Sequence, residues 1–328
     1  MGTNKHRFQE YTKLLVRQFL VMLAVFPIFL GPSNGQKSEK ASDYYNRGLQ
    51  KQENGDLEGA LADYDKALAL QPRLDAAYNN RANIKLQKGD LDGAINDYTK
   101  AIERNPRNVE TYFNRGVVRM QKGEYEGATA DFTSAIQLVP QFAMAYNNRG
   151  NARKSRGDTE GAISDYTKAI EFNPKLIIAY YNRGTAYQAK EDNAAAIRDY
   201  TLALEAAPKF VDAYINRAQV RQSQGDFDSA IGDYSKAIEL KPDAGVYYAR
   251  ATARQAKQDL IGALTDYSKA ISLDPNLAQS YAGRGVIETL LGKKAEAIQD
   301  FERAFKIEPS LRPTFKDFID KRLKVTIP

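Results

Sequence analysis

A short stretch beginning with tyrosine returns along this chain every 34 residues: Tyr78-Asn79-Asn80-Arg81-Ala82, Tyr112-Phe113-Asn114-Arg115-Gly116, Tyr146-Asn147-Asn148-Arg149-Gly150, Tyr180-Tyr181-Asn182-Arg183-Gly184 and Tyr214-Ile215-Asn216-Arg217-Ala218. A period of that length marks a stack of small helical units, each burying its apolar side only against its neighbours. The repetition overrides the prior that 328 residues would form two ordinary globular domains, and it predicts one elongated domain.

With Ala41 as position 1, repeats begin at Ala41, Asp75, Val109, Ala143, Ile177, Val211, Ala244 and Ala278. The sixth has 33 residues, and the missing one falls between Pro242 and Tyr247, in a turn joining two repeats where a deletion is tolerated best. Position 8 is Gly or Ala throughout, and positions 20 and 27 are Ala in every repeat, so two helices can approach closely. Position 32 is always Pro, from Pro72 to Pro309, which ends the second helix because proline has no amide hydrogen to continue it. Inside each repeat a tight turn is marked by Gly55-Asp56, Gly89-Asp90, Gly123-Glu124, Gly157-Asp158, Gly225-Asp226 and Gly292-Lys293. Glu191 and Gln258 stand where glycine is favoured for a left-handed cap, which predicts strained or differently shaped turns in repeats 5 and 7.

These columns resemble the tetratricopeptide repeat (TPR) family: an aromatic at 4, Gly or Ala at 8, Ala at 20, an aromatic at 24, Ala at 27 and Pro at 32, over residues 41–311. The resemblance implies an all-α fold, a right-handed superhelical solenoid of helix-turn-helix units whose first helices line the concave side. The chain departs from the family at position 11, usually Tyr, which is basic in six repeats (Lys51, Lys85, Arg119, Arg153, Arg221, Arg254). Tyr fills position 4 in all eight repeats and position 24 in six, with Phe132 and Phe301 completing the latter, and both columns are expected in the core. Beyond Pro309, Phe315, Phe318, Ile319 and Leu323 share one face of an amphipathic segment, so residues 310–328 are expected to supply a capping helix and tail.

Two further columns carry polar chemistry. Arg at position 7 and Asp at position 23 occur in every repeat, which predicts partly buried ion pairs: Arg47 with Asp63, Arg81 with Asp97, Arg115 with Asp131, Arg149 with Asp165, and so on. Asn occupies position 6 in six consecutive repeats, as Asn46, Asn80, Asn114, Asn148, Asn182 and Asn216. On a helical wheel that position lies about 200° from position 4, close to 2, 9 and 13. Asn is a mediocre helix former, so its repetition there suggests a use for the amide, either in lateral hydrogen bonds between neighbouring first helices or in binding. Asn83 and Asn151 at position 9, with Asn79 and Asn147 at position 5, enrich repeats 2 and 4; the column stops at Ala249 and Gly283, which places the binding half N-terminally. The column resembles the one lining the TPR superhelix of the O-linked N-acetylglucosamine transferases. That resemblance implies amide contacts to the backbone of an extended client. First helices about 10 Å apart would offer one amide per three residues of an extended chain. The family's carboxylate clamp for heat-shock-chaperone C-termini needs Lys at position 5 and basic residues at 2 and 6, and none is present.

Composition narrows the chemistry. There is no Cys, and the one His is His6, so thiolate metal sites, disulfides and histidine-based hydrolytic triads are excluded from the repeats. Neither metal nor cofactor is expected, nor is catalysis, since the chain ends just after the cap. The net charge of +6 is divided evenly: Lys5, Arg7, Lys13 and Arg17 against Glu10 give +3 in the first 35 residues, and the remainder carries 43 basic against 40 acidic groups. So balanced a surface argues against nucleic acid.

The basic start, the apolar run Phe19–Leu30 and the small residues Ser33 and Gly35 have the order of a secretory signal peptide over residues 1–35, followed by a short linker, 36–40. An uncleaved anchor over residues 14–30 is the alternative, and it would be the only contact with a membrane. The expected product is an exported (periplasmic or secreted) or membrane-anchored, non-catalytic scaffold that grips an extended peptide or protein segment. The alternatives are a regulatory or substrate-delivering subunit of an envelope enzyme and a self-assembling structural protein.

Overall fold

The computed structural model describes residues 39–325, so the expected signal peptide or anchor lies outside the described residues, as does most of the linker. Every regular element among them is helical, and none is long and apolar enough to cross a membrane. The helices follow in order, with α1 (Ala41–Glu53) paired with α2 (Leu57–Leu70), α3 (Asp75–Gln87) with α4 (Leu91–Arg104) and α5 (Val109–Lys122) with α6 (Tyr125–Leu138), and then α7 (Ala143–Ser155) and α8 (Thr159–Phe172). The later pairs are α9 (Ile177–Ala189) and α10 (Asn193–Ala206), α11 (Val211–Ser223) and α12 (Phe227–Leu240), α13 (Ala244–Ala256) and α14 (Leu260–Leu273), α15 (Ala278–Leu290) and α16 (Lys294–Ile307). A 3-10 turn, Pro309–Leu311, leads into α17 (Arg312–Arg322).

Contacts divide the chain into two compact units between Arg156 and Gly157, where repetition alone suggested one elongated domain. In a stack whose repeats touch only their neighbours, no core unites the whole, so such a division is open to it. Within each unit the second helix of a repeat packs on the first helix of the next, an α-solenoid arrangement.

The short turns are built as their residues dictate. Gly55, Gly89, Gly123, Gly157, Gly225 and Gly292 all adopt φ between 78° and 86°. An Asp after this position caps the second helix by accepting from the third amide: Asp56 from Gly59, Asp90 from Gly93, Asp158 from Gly161 and, after Gln258, Asp259 from Gly262, each at 2.9 Å. Glu191 and Gln258 take the same left-handed conformation, with φ of 62° and 67°, so those two turns keep the common shape and carry the strain of a side chain there. At the 33-residue repeat, Asp243 caps α13 by accepting from Gly245 and Val246, where the other inter-repeat junctions of this unit end on an apolar residue with no side-chain cap.

The core is a column of alanines and rings. Position 20 is fully buried in all eight repeats, position 27 equally so, and the position 24 rings from Tyr64 to Phe301 are no more than 1 % exposed. Gly48 and Gly184 lie against those rings so closely that an added Cβ would stand 2.7 and 2.9 Å from Tyr64 and Tyr200. Position 4 forms the rim of this core: each tyrosine there is half-buried, Tyr78, Tyr112 and Tyr214 among them packing against it, with the position 7 guanidinium over the ring, from 4.8 Å for Arg47 on Tyr44 to 5.9 Å for Arg183 on Tyr180. The apolar column of the wheel thus runs into the ion-pair column, and the ring serves as the floor of a cation. At the C-terminal end α17 seats Phe315, Phe318, Ile319 and Leu323 on Phe301 and Phe305, covering the last repeat.

Candidate interaction face of the first helices

The Arg–Asp columns meet as paired groups within each unit. Arg47 donates from Nε and Nη2 to the two oxygens of Asp63 at 2.9 and 2.7 Å, Arg81 to Asp97 at 2.7 and 2.6 Å, and Arg115 to Asp131 with its shortest contact at 2.7 Å. Arg149 belongs to the first unit, where its Nη1 donates to Thr133 at 3.1 Å, while Asp165 is buried in the second. The basic residue at position 11 closes on the same carboxylate: Lys51 on Asp63 at 2.8 Å, Lys85 on Asp97 and Arg119 on Asp131 at 2.7 Å. The Arg47 guanidinium, helped by Lys51, holds the Asp63 carboxyl well below the usual range. The remaining Nη1 of the position 7 arginine reaches back to position 25 of the preceding repeat, as Arg115 to Thr99 at 2.9 Å and Arg217 to Thr201 at 2.8 Å. Sequence reading missed that Ser/Thr column, although Thr99, Thr133, Thr167, Thr201, Ser235 and Ser268 recur as regularly as the arginines they accept from. These columns join helices within a repeat and between repeats, and their guanidinium groups are engaged by carboxylates and hydroxyls of the chain itself.

Repeat 8 breaks the pattern. Position 11 is Glu288, buried beside Asp300, which Arg284 already holds at 2.6 and 2.8 Å. Its Oε2 has no hydrogen-bond partner among the described residues. Burial first, and then the Asp300 charge, push the Glu288 carboxyl up to about 7.

Of the asparagines at position 6, Asn46 is exposed and the other five are half-buried, so none is enclosed in the core. Two take part in the lateral bonding that the sequence left open: Asn80 Nδ2 donates to the Tyr45 hydroxyl at 3.2 Å and Asn216 Nδ2 to the Tyr181 hydroxyl at 3.1 Å, each across to the preceding first helix. Asn148 Oδ1 accepts from Asn147 at 3.2 Å, and Asn114 follows Glu110 by one turn and favours its charged form. One such bond uses a part of an amide that has two donors and an oxygen with two lone pairs. Asn182 and Asn151 are half-buried as well. Asn83 departs from its expected place on the open face: it is buried, 6 % exposed, and its Oδ1 accepts from the Tyr98 hydroxyl.

The reason lies in position 12. In repeats 1, 5, 6 and 7 a glutamine there accepts from the position 24 hydroxyl, Tyr64 to Gln52 and Tyr267 to Gln255 at 2.8 Å, Tyr200 to Gln188 at 2.7 Å and Tyr234 to Gln222 at 3.0 Å. Repeat 2 has Leu86 at that position, so Asn83 one turn earlier takes the hydroxyl instead. Repeat 3 needs no acceptor, having Phe132 with Met120. The pairing of ring type with position 12 was available in the sequence and would have placed Asn83.

TPR repeat profiles match residues 48–89, 82–123, 118–155 and 150–191, and tetratricopeptide repeat profiles match 177–210, 211–243 and 278–311. No curated protein matches the chain. Among solved structures, a tetratricopeptide repeat protein of Parabacteroides merdae is 22 % identical over 75 % of this chain and 98 % of its own, with a TM-score of 0.56. The C-terminal part of a TPR repeat-containing protein from Cytophaga hutchinsonii is 19 % identical over 73 % and 98 %, with a TM-score of 0.63. YrrB, described as a TPR protein with an unusual peptide-binding site, is 24 % identical over 56 % and 95 %, with a TM-score of 0.50.

Proposed function

The chain belongs to the tetratricopeptide repeat family, whose stacked helix pairs are protein-interaction scaffolds, and from that premise we propose that it binds an extended peptide segment along the first helices of its repeats. The observation that supports this most directly is that all six position 6 amides stay at or near the surface. In the first unit Asn46, Asn80, Asn114 and Asn148 are the rungs, and Asn182 and Asn216 offer the same chemistry in the second. Four rungs about 10 Å apart match roughly 10 residues of extended chain. Each contact contributes about 0.5 to 1.5 kcal/mol, so affinity is modest and tolerant of client sequence. The scaffold role needs no chemistry from the repeats, and the reading is of a binding protein without catalysis.

Replacing Asn114 and Asn148 together by Ala tests the reading. Affinity for an extended peptide, followed by fluorescence anisotropy, is expected to fall about tenfold or more, with the melting temperature changed by about 2 °C or less. Unchanged affinity with a lower melting temperature would make the amides structural and end the proposal.

A further inference from the structure

One carboxylate on this face has no cation. Glu110, at position 2 of α5, is half-buried, and no Lys or Arg pairs with it among the described residues. Its surroundings are polar and uncharged. Asn114, one turn later on the same helix, favours its charged form, and Thr111 beside it donates to Asn79 of the preceding first helix at 3.2 Å. Asn83 is more than nine-tenths buried, and its Nδ2 lacks any acceptor in the described structure. An acid without a counter-ion thus stands where α5 meets α3, and one turn on from Asn79 in α3 lies an amide without an acceptor. Elsewhere in the first four repeats, positions 2, 5, 6 and 9 hold no charge: Ser42, Ala76 and Met144 share the Glu110 column. An acid in the first turn of a helix gains from the helix dipole even when fully exposed, so the dipole does not explain why this one is drawn inward.

We propose that Glu110, with Asn114 one turn along α5 and the asparagines of α3 beside it, forms a subsite that takes a lysine or arginine side chain of the bound segment. The inference rests on the peptide-binding reading and adds the charge of the client to it. A basic side chain entering beside Asn114 supplies the missing cation. The half-buried setting makes such a pair stronger than one in open solvent, and the surrounding neutral face has no lysine or arginine to compete for the carboxylate. An acidic segment meets no compensating cation there and is rejected.

The test uses the full chain and fluorescein-labelled 12-residue peptides of mixed Ser, Ala and Gly that carry lysine, norleucine or glutamate at their two central positions. The lysine peptide is expected to bind about tenfold tighter than the norleucine peptide, which has a similar stem and no charge, with the glutamate peptide weakest. Raising the salt concentration should narrow the gap. Glu110→Gln should abolish the preference with the melting temperature unchanged, and Glu110→Lys should favour glutamate. If all three peptides bind the wild type equally, or Glu110→Gln keeps the lysine preference, this inference falls and the peptide-binding reading stands. If none of the peptides binds at all, the peptide-binding reading falls and takes the subsite with it.

Discussion

The first four repeats and the last four share a framework and part company in three columns. Arg at 7, Asp at 23, Ala at 20 and 27, Tyr at 4 and Pro at 32 run through all eight. Asn at 6, a basic residue at 11 and Gly at 15 are kept without exception in repeats 1–4, whereas the later repeats put Ala249 and Gly283 at 6, Tyr187 and Glu288 at 11, and Glu191 and Gln258 at 15. Three of the departures, Gly283, Glu191 and Gln258, meet a local accommodation. A Cβ on Gly283 would stand 2.5 Å from Cζ of Tyr267, whose ring occupies the place the amide has elsewhere. Glu191 and Gln258 bend into the conformation glycine would have taken. The helix pair therefore folds without these three columns. Their uniformity in the first four repeats is not a requirement of the pair itself, which agrees with placing the binding half there.

The ion-pair columns give the largest expected difference between the halves. Asp131→Asn in repeat 3 leaves Arg115 and Arg119 facing a neutral, buried amide, and should destabilise the chain by about 3 kcal/mol. Asp300→Asn in repeat 8 should cost less than half as much, because it also removes the like charge beside Glu288 and offers that carboxylate a donor. Urea midpoints of the two variants decide the matter, and equal losses would show that Glu288 is no weak point.

The next effect depends on pH. The Glu288 carboxyl, raised in the folded chain from 4.5 to about 7, binds a proton there that the unfolded chain releases. The stability tied to that proton is complete below about pH 4.5, declines as pH rises through about 7, and amounts to about 2 to 3 kcal/mol. Glu288→Arg restores the pattern of Arg254 on Asp266 and should remove this slope and raise stability at pH 8 by about 2 kcal/mol. Denaturation at pH 5 and pH 8 measures both. A variant that keeps the slope would place its origin in another group.

How much of this could be read from the chain depends on whether a feature lies within one column or between columns. Turn glycines, alanine columns, the capping helix and the Arg–Asp pairs were legible because each is a local rule repeated at a fixed interval. The position 4 rings were placed only in part, because a helical wheel puts 4 beside 7 and does not show that a ring packed on the core also lies under a guanidinium. Asn83 was misplaced because its environment is set by Leu86 on its own helix and Tyr98 on the next, a relation between columns that period alone does not reveal. Glu110 stood out in no column, and its want of a cation shows only when the neighbouring helices are in place.

The smallest expected effect concerns the turns and can be sought in both directions. Gln258 holds φ of 67° and Gly123 holds 78°, so the backbone demands the same region of both, and only glycine enters it without a Cβ penalty. Gln258→Gly removes that penalty, but the added freedom of the unfolded chain offsets part of the gain, leaving a net stabilisation of about 0.5 to 1 kcal/mol. Gly123→Gln reverses both contributions and should destabilise by a similar amount, since an added Cβ at Gly123 meets nothing nearer than 3.9 Å and steric overlap does not enter. Equal and opposite shifts in the urea midpoint would make position 15 a matter of backbone conformation alone. A larger loss at Gly123 would show that the first four repeats depend on their glycines for more than the turn, and would tie this column to the binding half with the other two.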